Sequence, residues 1–385
     1  MIKKCNHYFA KLLADWSVSS SSGLHLNCLD GLRGVAIIMV VFFHGIYFNP
    51  KGNSITILVG KLAGAGWMGV PIFFVISGFL ISYPFFKGRL KTTAAWYPKG
   101  YATRRVLKIF PPFYFSIVIL IIFYFVQSHD FSFITLGLKW ATGYAHYIYQ
   151  APYFDGPYWS LWVELHFYLV LPVLFFLFRK ASYPWTCWGI FGLLFLIPYI
   201  SRFLTWPENT SPAVAGFTMW RFPNQLDCFA WGVILAGLFV VRNHQNKLVK
   251  SWSRFGYWGG VMLLASIITF AFVSFPERMS YQIKPLITGL AAFLLLFFVF
   301  DPATLGARIL SFPALRFVGV ISYEWFLIHD PVLRFFRHDL IGSTKGSFGL
   351  YLFTVFVPIL LTFIASALIY RYISLPIMRW GRRMK

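Results

Sequence analysis

Long apolar runs alternate with short polar segments along nearly the whole chain. Runs of about 20 residues, the length a helix needs to cross a bilayer, fall at roughly 30–48, 66–86, 105–126, 158–178, 184–200, 222–241, 253–275, 283–301, 315–335 and 346–372. The pattern predicts an all-α polytopic membrane protein with about ten transmembrane helices. Residues 131–150, FSFITLGLKWATGYAHYIYQ, are more polar. Their tyrosines and Trp140 suit the headgroup level, so this stretch is expected to be a loop with a re-entrant or interfacial piece. The organisation is then an N-terminal segment (1–28), one transmembrane domain (29–372) and a basic tail (373–385).

Composition agrees with a membrane setting. Of 385 residues, 58% are hydrophobic and only 12% charged, and the mean hydropathy of +0.66 exceeds what a soluble domain of this size tolerates. The formal charge of +22 could suggest nucleic acid. In a polytopic chain, however, basic residues gather on the cytoplasmic side against anionic membrane lipids, and no nucleic-acid partner is expected. With the N-terminus inside, most of the 34 Lys and Arg fall on inner segments, which predicts cytoplasmic termini in the cell (inner or plasma) membrane. The four cysteines, Cys5, Cys28, Cys187 and Cys228, lack any C-x-x-C spacing. They read as packing residues, with neither a disulfide framework nor a metal site indicated. The N-terminus lacks the apolar core and small-residue cleavage site of a signal peptide. Nothing in the pattern sets an oligomeric state.

Ionisable side chains inside spans are costly, so each is a functional candidate. In LDGLRGVAIIMVVFFHG, Arg33 and His44 are eleven residues apart, close to three helical turns, on one face and about 16 Å apart along the axis. A snorkelling arginine and a histidine bonded to a neighbouring helix would explain them without chemistry. Glu164 lies about two turns into the fourth span, with Ser160 and Tyr168 one turn either side, and a lone buried carboxylate needs a partner. Asp227 and His329 occupy the outer ends of two further spans, with Asp330 and Pro331 beside His329; Glu324, earlier in that span, could be a structural pair. Four such groups, His44, Glu164, Asp227 and His329, at similar depth point to a shared water-accessible cavity. At the inner face, Arg104, Arg105 and Lys108 precede Pro111 and Pro112, a pair expected to break the helix. With Arg33 they suit a polyanionic ligand such as a nucleotide-bearing donor, although no Walker or G-x-G-x-x-G loop is present.

These motifs resemble the acyltransferase 3 family of membrane acyltransferases. The matching stretches are LDGLRGVAIIMVVFFH, GVPIFFVISGFLIS, RRVLKIFPPFY, YWSLWVELHFYLVLP, LDCFAWGVILA and ISYEWFLIHDPV, in family order across 28–372. One departure is Lys108 where the family carries a second arginine; lysine keeps the charge and loses the planar fork. Another is the lack of a fused extracytoplasmic hydrolase-like domain, which implies a stand-alone member. The resemblance implies an O-acyltransferase moving an acyl group, acetyl above all, from cytosolic acyl-CoA to a hydroxyl of a glycan or lipid-linked saccharide. No permanently bound cofactor is implied. Arg33, Arg104, Arg105 and Lys108 would hold the donor phosphates. His44 would be the general base or a transient acyl carrier, and Glu164 would orient a histidine in the manner of a triad. His329 and Tyr323 would serve acceptor binding or proton transfer, with Asp227, Ser77 and Ser160 lining the acceptor site.

Two other classes fit parts of the pattern. A carbohydrate or lipid-linked-sugar exporter would use the outer cavity as a path and make no bond; the inner arginines and the absence of an inverted repeat weigh against it. A purely structural subunit would be indifferent to loss of His44.

Overall fold

The computed structural model describes residues 11–16, 26–47, 54–91, 97–147, 156–206, 218–244, 252–272, 277–299, 304–336 and 348–383. Cys5 lies outside them, as do 148–155 and 207–217 of the loops 127–157 and 202–221, which are expected to select an acceptor. The described residues are helical, without strands. In order they form α1 (Asn27–Phe42) running into a π turn (Phe43–Tyr47), α2 (Ser54–Gly64), α3 (Gly69–Lys91), α4 (Tyr101–Ser128), α5 (Ser132–Ala141), α6 (Tyr158–Leu177), α7 (Tyr183–Thr205) and α8 (Leu226–His244). Then come α9 (Trp252–Phe272), α10 (Glu277–Val299), α11 (Leu305–Leu310), α12 (Pro313–Val320), α13 (Ser322–Arg334), α14 (Phe348–Ile369), a second π turn (Tyr370–Ser374) and α15 (Leu375–Arg383).

Six helical stretches among the described residues are long and apolar enough to cross a membrane: Asn27–Ile46, Ile57–Leu90, Tyr101–Ser128, Tyr158–Leu177, Tyr183–Thr205 and Phe353–Arg383. Shorter apolar helices cover Leu226–Val241, Trp258–Thr269 and Gln282–Leu296. Large apolar side chains such as Val126, Leu169 and Leu204 stay exposed, as lipid-facing positions do. The chain is a multi-pass membrane protein.

Two local expectations change, and a third gains its element. The stretch 131–150, expected as a loop with a re-entrant or interfacial piece, contains α5, whose ten residues span about 15 Å, too little to cross a bilayer. The Pro111–Pro112 pair does not break α4, which runs through both. Membrane helices accept proline where the rest of the ladder and the neighbours hold the turn; the carbonyls freed here are those of Leu107 and Lys108, and the Tyr323 hydroxyl donates to the next one, Ile109, at 3.0 Å. Conversely, the run at 315–335 is two helices, because the chain leaves helical geometry at Ile321 between α12 and α13.

The chain divides into two compact units. The first holds α1, α2, α4, α5 and α12 to α15; the second holds α3, α6 from Trp159 onward, and α7 to α11. In the first, α1 and α12 cross at two glycines. A Cβ on Gly319 would lie 1.7 Å from the Asp30 carbonyl oxygen, and one on Gly34 would lie 2.3 Å from the Leu315 carbonyl oxygen. In the second, α3 and α8 cross the same way through Gly78 against Phe229 and Gly232 against Val75. Small residues let helix backbones approach where burial of apolar surface supplies no drive between helices in lipid. Gly319→Ala is therefore expected to destabilise the protein by about 3 kcal/mol, the upper end of overpacking costs, because backbone meets backbone. Gly60→Ala, with nothing within 4 Å, is the matched control. Thermal unfolding of both variants in detergent checks this.

Candidate active site

In the first unit the π turn after α1 carries His44, and the middle of α13 carries His329. Their rings meet: His329 Nε2 lies 3.1 Å from His44 Nδ1, with centroids 5.0 Å apart. His329 is fully buried and His44 half-buried. The surrounding carbonyls decide the protons. His329 Nδ1 faces the Trp325 and Phe326 carbonyl oxygens, both at 3.0 Å, and a carbonyl only accepts, so Nδ1 carries the hydrogen. In the neutral ring Nε2 is then a bare acceptor. His44 Nδ1 faces that acceptor and the Val40 carbonyl oxygen at 2.9 Å, so it also carries the hydrogen. In the neutral His44 ring the lone pair is then on Nε2. A π turn is an uncommon device that re-aims a side chain, and here it delivers His44 to α13.

Next to His329, Asp330 is buried and pairs with Arg334 at 2.9 Å, while the Gly156 N–H donates to the same Oδ2 at 3.4 Å. Sequence reading noted Asp330 without giving it a part in the site, and passed over Arg334. The i,i+4 spacing of the two was the available signal.

Toward the start of α13 a second polar group gathers. Tyr323, expected near the acceptor, has its hydroxyl on α4 at Ile109. Glu324 is buried, accepting from the Ser374 hydroxyl at 2.5 Å, and Lys108 and Arg33 stand within its electrostatic reach. Of the four expected donor-binding cations, Lys108 and Arg33 thus both act on Glu324. Arg104 and Arg105 follow on the first turn of α4, half-buried, with the Arg105 guanidinium 6.0 Å from the Tyr101 ring centroid. The α15 helix packs on this end of α4, where Gly381 meets Leu107, and Arg379 lies near Tyr370.

Glu164 and Asp227 belong to the second unit, each with partners of its own. Ser77 and Tyr168 both donate hydroxyls to Glu164 Oε1; Tyr168 is the same-face neighbour one turn on, and Ser77 comes from α3. Glu164 was expected to orient a histidine; its hydrogen-bond partners are these two hydroxyls, and His329 is oriented by backbone carbonyls. Ser160, one turn before Glu164, is buried. Asp227 was expected to bind acceptor. Both its oxygens are taken by Arg202, at 2.8 and 2.9 Å, and both side chains are buried. Arg202 also donates to the Asn224 and Gln282 carbonyls. It lies in the last turn of α7, and the pair clamps α7 to α8. His166, two residues past Glu164, stacks on Phe222 with centroids 5.0 Å apart. Cys28, Cys187 and Cys228 are buried without disulfides.

A family profile described as an acyltransferase domain matches residues 26–371, nearly the whole chain. The chain belongs to the acyltransferase 3 family. The chain is similar to the peptidoglycan O-acetyltransferase OatA of Listeria monocytogenes, 25% identical over 93% of this chain and 56% of the relative. It is likewise similar to the O-acetyltransferase OatA of Staphylococcus aureus, 24% identical over 93% of this chain and 58% of the relative. The chain spans a little over half the length of these curated relatives. No solved structure matches it.

Proposed function

We propose that the chain is a membrane O-acetyltransferase that moves an acetyl group from cytosolic acetyl-CoA to a hydroxyl of a cell-envelope glycan. The observation that carries this reading is the pair of histidines whose hydrogen bonds put the His44 proton on Nδ1 and so make Nε2 the basic nitrogen of the neutral ring. Family membership and the names of the relatives support the reaction type and the glycan. The proposed topology has about ten spans with both termini in the cytoplasm of a cell (inner or plasma) membrane, which the distribution of Lys and Arg supports.

The acceptor hydroxyl donates its proton to His44 Nε2 as its oxygen attacks the thioester carbonyl carbon. The new C–O bond forms, the C–S bond breaks, and the proton on His44 passes to the departing thiolate, giving free thiol and acetyl ester. His329 accepts the Nδ1–H of His44, holding the ring in the productive tautomer and stabilising it when it becomes imidazolium, as a triad's third member does. Arg33, Arg104, Arg105 and Lys108 hold the donor's phosphates by charge and, for the arginines, by paired hydrogen bonds. Since Arg33 and His44 are about 16 Å apart along one helix, a long flexible arm is needed between phosphate and thioester.

The test is transfer of labelled acetyl from acetyl-CoA to glycan by the purified chain in vesicles. Label appearing as an ester on the glycan supports the reading. Label that stays in acetyl-CoA while glycan crosses the vesicle membrane would establish export in its place. Arg33→Ala is expected to raise the donor KM at least tenfold with acceptor KM unchanged, since a charge-assisted bond is worth about 1.5–3 kcal/mol; steady-state kinetics over a donor series measures it.

A further inference from the structure

The transfer chemistry leaves unused a carboxylate and an aromatic pair in the second unit. Trp159, in the first turn of α6, and Trp220, ahead of α8, stack with centroids 5.6 Å apart and planes 16° from parallel. Phe74 of α3 meets Trp159 edge-on at 6.3 Å, backing the pair from within. Trp220 keeps 44% of its surface exposed. The turn that presents it is stapled: the Asn224 side chain donates to the Thr218 carbonyl and Gln225 to that of Met219, both at 2.9 Å, and Phe222 stacks on His166. A large flat side chain is thus held out on rigid backbone.

About one turn further along α3 and α6 stand Ser77 and Glu164. Both hydroxyls donated to this carboxylate go to Oε1; among the described residues Oε2 takes no hydrogen bond, and the residue is half-buried. A carboxylate oxygen left open in an apolar helix is costly unless something donates to it. Lipid tails have no donor. A saccharide offers both complements at once, because the C–H face of a pyranose presents weakly positive hydrogens to the negative face of an aromatic ring while its hydroxyls donate to fixed acceptors.

We infer that the Trp159–Trp220 stack and Glu164 form a subsite for the acceptor glycan, with one sugar ring lying on Trp220 and a hydroxyl of the same glycan chain donating to Glu164 Oε2. This rests on the glycan-acceptor reading above. It gives Glu164 a binding role in place of charge-balancing a histidine, and it makes Ser77 and Tyr168 the hydroxyls that hold the carboxylate in position.

The test uses the full chain in nanodiscs with a soluble peptidoglycan fragment free of O-acetyl groups. Binding is read without donor by quenching of tryptophan fluorescence and by calorimetry, and transfer is read separately with labelled acetyl-CoA. Trp220→Ala and Glu164→Gln are each expected to weaken fragment binding and raise the acceptor KM about tenfold, with donor KM within twofold of wild type. Trp220→Phe should restore most of the loss, whereas Trp220→Leu, equally at home in lipid, should not. Leucine restoring binding as well as phenylalanine would make Trp220 a membrane-anchoring side chain and overturn the subsite. So would wild-type binding and transfer that both variants leave unchanged. Fragment binding lost in Trp220→Ala, with no transfer by the wild type, would uphold the subsite and overturn the transfer reading instead.

Discussion

Alanine at position 44 is expected to lower acetyl transfer about a thousandfold while donor and acceptor KM stay near wild type. Removing a positioned general base costs between about 10² and 10⁴ in rate, and the geometry puts His44 well inside that range. Its Nδ1 is engaged by the Val40 carbonyl oxygen and His329 Nε2, so the reactive nitrogen is held rather than averaged over rotamers and tautomers. Both hydrogen-bond partners lie in the first unit and stay in place when the ring is removed, so insertion and folding should survive. In the proposed mechanism His329 acts through His44 and is a positioning residue. His329→Ala should lower kcat less than His44→Ala does, by about a hundredfold. His329→Gln should recover part of that loss, because its carbonyl can still accept the His44 Nδ1–H. Single-turnover measurements on detergent-purified protein, with size-exclusion profiles to confirm folding, decide the matter. Transfer by His44→Ala within tenfold of wild type would remove it from the role of base, and equal losses in the alanine and glutamine variants at 329 would reduce His329 to packing.

The helices were legible because lipid leaves little choice. A backbone in an apolar medium must bond to itself, so run length and hydropathy mark the elements, and α6 and α7 begin within a residue of where the apolar runs do. The meeting of His44 with His329 was only partly legible. The eleven-residue spacing from Arg33 was visible, but the π turn at Phe43–Tyr47 depends on what packs outside α1, and nothing local announces it. Proline misled in the other direction: Pro111 and Pro112 free only the Leu107 and Lys108 carbonyls, and the remaining ladder carries α4 through both. The pairing of Glu164 was half legible. Tyr168 follows from helical periodicity, whereas Ser77 comes from another helix, and its pairing with Glu164 follows from no spacing along the chain. Groups read as sharing one depth therefore sorted by partner once the helices were packed, and partner identity is a tertiary property.

Arg202 and Asp227 show the consequence most sharply, and each single replacement there should lower stability by about 3–5 kcal/mol. The two side chains are 2% and 3% exposed and joined by two parallel hydrogen bonds. Removing either partner strands a charge where water does not reach, which is costlier than the pair itself is favourable. Arg202→Met leaves the Asp227 carboxylate without its cation, and Asp227→Leu leaves the guanidinium with the Asn224 and Gln282 carbonyls alone. The double variant Arg202→Met/Asp227→Leu replaces both charges with apolar volume and should regain more than half of what either single change loses, a non-additivity expected for partners in direct contact. Denaturant unfolding in detergent across the four proteins gives the coupling. The same cycle separates a clamp from an acceptor-binding carboxylate. If the pair only ties α7 to α8, the double variant keeps an acceptor KM near that of wild type once it is folded. If Asp227 touches the glycan, stability returns in the double variant and acceptor affinity does not. Strictly additive losses would mean that the two side chains contribute independently and would end the clamp reading.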